Sequence, residues 1–296
     1  MGPWRAPRVC GMGRTGAGGT SAWGRRAFLG ASGLALGALL TSCEAAPEPT
    51  RPAGAPSTRP TPSPTPTPTP TVTPTPTPPP APTVAKVPAP QEAFTGLPGE
   101  GNLLAWTVDD GTDPSVVRAY AQFAHETGTR LTLFATASYP AWAENVDVLA
   151  PLVASGQVQI GNHTWSHPDL TSLSDRGIVD ELQRTHDRIG ELFGVDARPF
   201  YRPPFGFHDR RVRAAAASIG YTAPALWYGS LADSGLIPAE EIVRLGHEWL
   251  LPQHVVIGHL NHPPVTTVLP QLARIIAERG LVTVTLNDVF TSEHHP

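Results

Sequence analysis

Leu103-Leu104-Ala105-Trp106-Thr107-Val108-Asp109-Asp110-Gly111 is the stretch that decides how this chain is read. Residues 103–107 form a bounded apolar run of strand length. Two adjacent carboxylates and a glycine follow at once. Carboxylates are costly to bury unless they are paired, hydrogen-bonded or metal-bound. Neighbouring strand residues point to opposite faces, so both reach one site only where the chain turns. Gly111 permits that turn. Taken alone, the pair also fits an N-cap or a solvated loop.

Outward from this stretch the pattern repeats. Further strand candidates lie at residues 131–135, 158–161, 199–202, 222–227, 255–259 and 282–286. Helical patterns separate them, at residues 114–127, 143–154, 175–193, 209–219, 239–250 and 265–278, and several end at a glycine such as Gly128, Gly194 or Gly280. Seven strands alternating with helices predict parallel β-α units, as a barrel or an open sheet. In β/α barrels the chemistry sits at the C-terminal ends of the strands. Asp109 and Asp110 follow the first strand and His163 the third; Arg202 ends the fourth, Asp233 trails the fifth and His259 ends the sixth. Five strands thus aim polar residues at one rim.

Composition divides the 296 residues. Residues 97–296 read as one globular domain, ample for a full core, with 13 Arg, no Lys and 22 Asp/Glu, a net charge of −9. Residues 1–96 carry +5. An acidic domain argues against nucleic acid as a partner, and nothing implies a protein partner. All eleven histidines lie in the domain, and both cysteines, Cys10 and Cys43, lie outside it. Neither a disulfide nor a thiolate metal site is therefore expected within it.

Residues 1–43 read as an address. Arg25-Arg26 precede an apolar stretch of about 14 residues, the length of a signal-peptide core and too short for a bilayer span. The pair resembles a twin-arginine export signal. Leu40-Thr41-Ser42-Cys43 resembles a bacterial lipobox, which implies cleavage before Cys43 and acylation of its thiol; the alternative is a plain signal peptide and a secreted protein. Met12 is a second candidate start. Residues 44–96, with Thr-Pro repeats over 61–80, are expected to be an extended linker between membrane and domain. The expected location is the outer face of the cell membrane, towards the wall.

His163 and His167 are four residues apart, and on one helical turn they would face the same way, which suits a divalent metal. With one carboxylate they leave a position open for water on the ion. The second carboxylate is then free as a base, Arg202 is placed to keep it ionised, and His259 to protonate a leaving nitrogen. That inventory describes metal-assisted hydrolysis of an amide or ester.

Thr107-Val-Asp-Asp-Gly111, His163-Thr-Trp-Ser-His167, Arg202-Pro-Pro-Phe-Gly206 and Ile257-Gly-His259 resemble, in order and spacing, the motifs of the polysaccharide deacetylase (NodB-like) superfamily. The resemblance implies a distorted (β/α)7 barrel, similar to a TIM barrel. It implies Asp109 as general base, Asp110, His163 and His167 as ligands of zinc (or cobalt or manganese), and Arg202 as the partner of Asp109. His259 becomes the general acid, tuned by Asp233. The backbone N–H of Phe205 would help hold the oxyanion, with Trp227 and Ile257 around the acetyl methyl. The fourth motif departs from the family: Ser230 and Ser234 stand where an acid and an aromatic are usual, which puts the substrate groove in doubt. His208 and His262 are read as structural. The expected reaction is removal of N-acetyl groups from an N-acetylglucosamine polymer, with peptidoglycan favoured by place. O-deacetylation of a glycan such as acetylated xylan, or wall binding through a weakened site, are the alternatives. Trp165, Phe205, Phe207, Trp227 and Tyr228 are candidate sugar platforms.

Overall fold

A computed structural model describes residues 82–291. The strands are β1 (Val87–Pro88), β2 (Leu103–Asp110), β3 (Leu131–Ala135), β4 (Val158–Asn162), β5 (Phe200–Tyr201), β6 (Ala223–Pro224), β7 (Gly229–Ser230), β8 (His254–His259), β9 (Val282–Thr283) and β10 (Phe290–Thr291). The main sheet runs β6-β5-β4-β3-β2-β8-β7, with β9 beside the start of β2, and its pairings are all parallel. The helices are α1 (Pro114–Thr127), α2 (Ala141–Glu144), α3 (Val146–Ala154), α4 (Asp175–Phe193), α5 (Arg210–Ala217), α6 (Ala239–Trp249), α7 (Leu269–Glu278) and α8 (Leu286–Val289). The curled parallel sheet with its helices is the expected distorted barrel.

Burial on both faces makes β2 apolar up to its end save for Thr107, whose hydroxyl donates to the Val256 carbonyl at 2.8 Å. Leu104, Trp106 and Val108 face the helix-packed core, while Ala105 joins a second cluster with Phe134, Phe200, Val255 and Phe290. Period-two alternation therefore turns Asp109 the same way as Ala105. Each fully buried side chain the size of Leu or Phe contributes about 1.5–3 kcal/mol. The helices are punctuated as their sequences require. Asp113 caps α1 by accepting from the Ser115 and Val116 N–H groups, and left-handed Gly128 ends it. Ser174 and Gly194 do the same for α4.

The folded unit takes in residues that the sequence assigned to the linker. β1 pairs with β10, and Phe94 packs its ring 5.3 Å from that of Phe290. β6 and β7 are not paired with each other, and residues 94–97 stitch across that gap. Phe94 bonds Pro224 and Leu226 on one side; Thr95 and Leu97 bond Val255 and Gln253 on the other. The expected boundary at residue 97 thus falls inside the barrel. The export signal, Cys43 and the Thr-Pro tract lie outside the described residues.

Other element bounds shift for local reasons. The strand expected at 282–286 is two residues long, because Thr285 caps α8 through a reciprocal bond with Asp288. The helix expected from 265 begins at Leu269, after a 3-10 turn started by Pro263 and Pro264. The candidate at 222–227 shortens to β6, with β7 as a separate piece.

Candidate active site

At the C-terminal ends of β2, β4, β5 and β8 the predicted polar residues converge. The chain does turn after β2, but earlier than Gly111 alone would require: Asp110 itself is left-handed (φ 77°), followed by Gly111 (φ 96°). This turn brings two neighbouring carboxylates to one site. Gly111 is required twice, since a Cβ there would lie 2.7 Å from the Trp142 ring. Trp142 holds the turn by donating its Nε1–H to the Asp110 carbonyl at 3.0 Å.

Asp109 is 1% exposed and Arg202 is fully buried. Arg202 donates from Nη1 to Asp109 Oδ1 at 2.5 Å and from Nε to the Ala225 carbonyl at 2.8 Å. Its guanidinium lies 4.2 Å over the Phe134 ring. A buried pair of this kind is favourable only with such geometry and extra hydrogen bonds. Asp109 Oδ2 is left facing the site, 3.5 Å from His163 Nε2.

His163 Nδ1 lies 2.7 Å from the Arg202 carbonyl. A carbonyl only accepts, so Nδ1 carries the proton and the Nε2 lone pair faces the pocket. Asp110 Oδ1 is 3.5 Å from that Nε2 and 3.4 Å from His167 Nε2. Burial pulls the His167 imidazole below its ordinary value, and His163 adds to this, so the ring is neutral at neutral pH and fit to be a ligand. Burial pushes the Asp110 carboxyl up, but His163, the Asn261 hydrogen bond and His167 outweigh it and hold it below the ordinary range.

His163 and His167 do not share a helical turn. Residues 163–168 form a loop in which Thr164 (φ 70°) and His167 (φ 60°) are both left-handed. Asn162 holds the first by accepting from the Thr164 N–H at 2.9 Å, and the Thr164 hydroxyl accepts from the His167 N–H at 3.1 Å. The expectation of one shared face is met by a different backbone.

Asp110, His163 and His167 place one ligand atom each within 4.8 Å of one another, a group able to hold a metal ion. The donor set of two imidazoles and a carboxylate is that of a divalent ion with an open position. The test of fit is Asp110 Oδ1, a buried carboxylate oxygen with no hydrogen-bond partner. Such an oxygen is expensive unless a cation meets it. The other oxygen, Oδ2, accepts from Asn261 Nδ2 at 2.7 Å, and Asn261 Oδ1 accepts from the Thr112 hydroxyl at 3.0 Å. The sequence reading gave Asn261 no role. Its position two residues beyond the strand-ending His259 was the signal available.

Across the pocket, His259 Nδ1 donates to Asp233 Oδ1 at 3.0 Å. Burial lowers the affinity of His259 for its proton, but the Asp233 bond and the carboxylates of Asp109, Asp233 and Asp110 outweigh it and raise its pKa above the ordinary value. A cavity of about 450 Å³ is lined by Asp109, Asp110, His163, His167 and His259, and also by Phe205, Trp227 and Ile257. Phe205 is left-handed (φ 60°), its ring is edge-on to His167 at 4.7 Å, and His208 braces the turn through the Gly206 carbonyl. Ser230 and Ser234 also line the cavity. The Ser230 hydroxyl accepts from the Ala232 N–H at 2.9 Å, holding the loop that presents Asp233. Tyr228 is elsewhere: it stacks edge-on to His254, 4.1 Å away at the opposite end of β8 from His259.

A family model described as polysaccharide deacetylase matches residues 97–224. An uncharacterised protein of Streptomyces coelicolor is 31% identical over 180 residues, 59% of this chain and 68% of that one. The chain belongs to the polysaccharide deacetylase family. Chitin deacetylase 1 of Cryptococcus neoformans is 37% identical over 126 residues, which is 43% of this chain and 26% of that relative's own length. Among solved structures, the Bc1960 peptidoglycan N-acetylglucosamine deacetylase superposes with a TM-score of 0.61 at 21% identity, over 69% of this chain and 95% of the other. In this chain the motif residues are gathered at the rim of a parallel barrel.

Proposed function

We propose that this chain is a metal-dependent deacetylase that hydrolyses N-acetyl groups on an N-acetylglucosamine-containing polysaccharide of the cell wall, peptidoglycan foremost. One observation carries the reading. The orphaned Asp110 Oδ1 faces two ligand-competent imidazoles, with a separate carboxylate and a separate histidine on either side.

A divalent ion bound by Asp110, His163 and His167, zinc in this proposal, supplies a Lewis acid for the acetyl carbonyl and acidifies water. Arg202 keeps Asp109 ionised, and Asp109 Oδ2 takes the proton of the attacking water. The Phe205 backbone N–H meets the oxygen that becomes negative. Trp227 and Ile257 exclude water around the methyl group. His259, held by Asp233, gives its proton to the departing nitrogen, releasing acetate and a free amine. Every group needed is present, which argues against a mere wall-binding role. The same inventory serves an O-acetyl ester, and xylan is the arm that tests for it.

Export follows from residues 22–43. The proposal is a lipoprotein anchored at Cys43, with residues 44–81 as spacer. The deciding experiment is acetate release by the purified chain from peptidoglycan, chitin oligomers and acetylated xylan, with and without chelator. Chelator-sensitive release from the first two is expected. Preference for xylan overturns the N-deacetylase reading, and release untouched by chelator overturns the metal.

A further inference from the structure

Behind His259, two oxygens are buried without a hydrogen-bond partner: Asp233 Oδ2 and the Tyr120 hydroxyl. Asp233 is 1% exposed and holds His259 through Oδ1 alone. Tyr120 comes from α1, is fully buried, and packs its ring edge-on against Trp106 at 5.9 Å. A buried carboxylate oxygen and a buried hydroxyl are both costly to leave unmatched.

Gly258 brings the two together. It lies inside β8, between Ile257 and His259, where a glycine weakens a strand. Its backbone is not left-handed. Beyond its chain neighbours, a Cβ there would meet nothing closer than 3.4 Å. Gly161 and Gly229 differ, since a Cβ would lie 2.6 Å from the Phe134 ring at the first and 2.5 Å from Trp249 at the second. Gly258 is therefore demanded neither by strain nor by a clash, and what it provides is room. The place its Cβ would take is 3.4 Å from the Tyr120 hydroxyl, 3.4 Å from Leu231 Cδ1 and 3.5 Å from Asp233 Oδ2. The two oxygens thus border one space without bonding to each other. Burial, and then the Asp233 charge, push the Tyr120 phenol well above its ordinary value, so the hydroxyl keeps its proton and can donate. A carboxylate oxygen only accepts. A water between them accepts from the first and donates to the second, and two polar partners suffice to hold a buried water.

We propose that one buried water occupies the space over Gly258 and joins the Tyr120 hydroxyl to Asp233 Oδ2, which makes Tyr120 a positioning residue for His259. With both oxygens bonded, the Asp233 carboxylate is fixed in its plane. The direction in which the His259 imidazole faces the pocket is fixed with it. The proposal rests on the deacetylase reading, which gives His259 its proton-donating role.

The test uses the full chain loaded with zinc. Electron density of the wild type should show an ordered water within hydrogen-bond distance of both oxygens, and density without it overturns the proposal. Tyr120→Phe removes the hydroxyl and keeps the ring against Trp106. Gly258→Ala fills the space at ordinary contact distances. Acetate release is measured on the N-acetylglucosamine pentamer, whose amine leaves only with a proton, and on para-nitrophenyl acetate, whose phenolate leaves without one. Each variant should lower kcat on the pentamer about three- to tenfold, a part of what a hydrogen bond to a charged group contributes, with KM and metal content close to wild type. The loss on the aryl ester should be much smaller. Equal losses on both substrates would mean a general disturbance of the fold and overturn the positioning role, as would an unchanged pentamer kcat in either variant. If the wild type releases no acetate from the pentamer, it is the deacetylase reading that fails, and the density over Gly258 alone decides the water site.

Discussion

Asp110 divides its two oxygens between two tasks. Oδ2 is fixed by Asn261, itself fixed by Thr112, and Oδ1 is left bare towards His163 and His167. Outer partners of a ligand typically carry 10–100-fold in metal affinity. Asn261→Ala should therefore weaken zinc or cobalt binding by about tenfold or more, measured by competition with a chromophoric chelator; an unchanged dissociation constant would remove Asn261 from the metal site. His163→Ala and His167→Ala should each lose most bound metal by elemental analysis. Asp109→Asn should keep the metal and lose turnover, because the ligand set is intact while the base is gone; near-normal rates would exclude Asp109 from that role. His259 has the opposite logic. Its pKa is raised, so it stays protonated to higher pH than an ordinary histidine, and activity that needs its proton falls as pH climbs through that raised value. Asp233→Asn keeps an acceptor for the Nδ1–H but removes the negative charge that helps to raise it. The basic limb of the rate profile should then move to lower pH, and a limb that stays in place would show that another group titrates there.

At the level of elements, two short segments carry more than their length implies. The Asp110-Gly111 turn is left-handed at both residues and packed under Trp142. Gly111→Ala brings a methyl within 2.7 Å of that ring at a φ alanine resists. Backbone strain of this kind costs about 1–3 kcal/mol before the clash is counted. A lower melting temperature together with weakened metal binding is expected, and wild-type values of both would show that the turn tolerates a side chain. The second segment is residues 94–97, which bridge β6 and β8 where the barrel is not closed by strand pairing. Phe94 is part-buried against Phe200 and Phe290. Phe94→Ala should cost about 2 kcal/mol, a fall of about 4–8 °C in Tm for a domain of this size. A shift under a degree would mean that the bridge only rests on the barrel.

For the molecule as a whole, the proposal of a tethered enzyme is tested at Cys43. A single acyl chain binds membranes marginally, so firm anchoring needs more than one. Cys43→Ala should move the protein from the membrane fraction to the medium, or leave its signal uncleaved; unaltered fractionation and processing would favour plain secretion. Among the described residues no helix is long and apolar enough to cross a membrane.

The strand and helix order was legible in the sequence because burial on both faces writes a parallel strand as a nearly continuous apolar run, as in residues 103–108 with Thr107 the one polar residue, and because glycines such as Gly128 and Gly194 mark helix ends. The same logic placed Asp109, His163, Arg202 and His259 at one rim, since each follows or ends a strand. Period and punctuation are local properties, and local properties survive in a sequence. Three things were decided only by the tertiary structure. His163 and His167 meet Asp110 through a loop with two left-handed residues, held there by Asn162 and the Thr164 hydroxyl. Asn261 became a partner of Asp110 across 151 residues of chain. Residues 94–97 became part of the barrel because two distant strands, β6 and β8, left backbone groups for them to pair. Each depends on hydrogen bonds between segments far apart in the chain, and such partners have no period, spacing or composition by which a sequence can announce them.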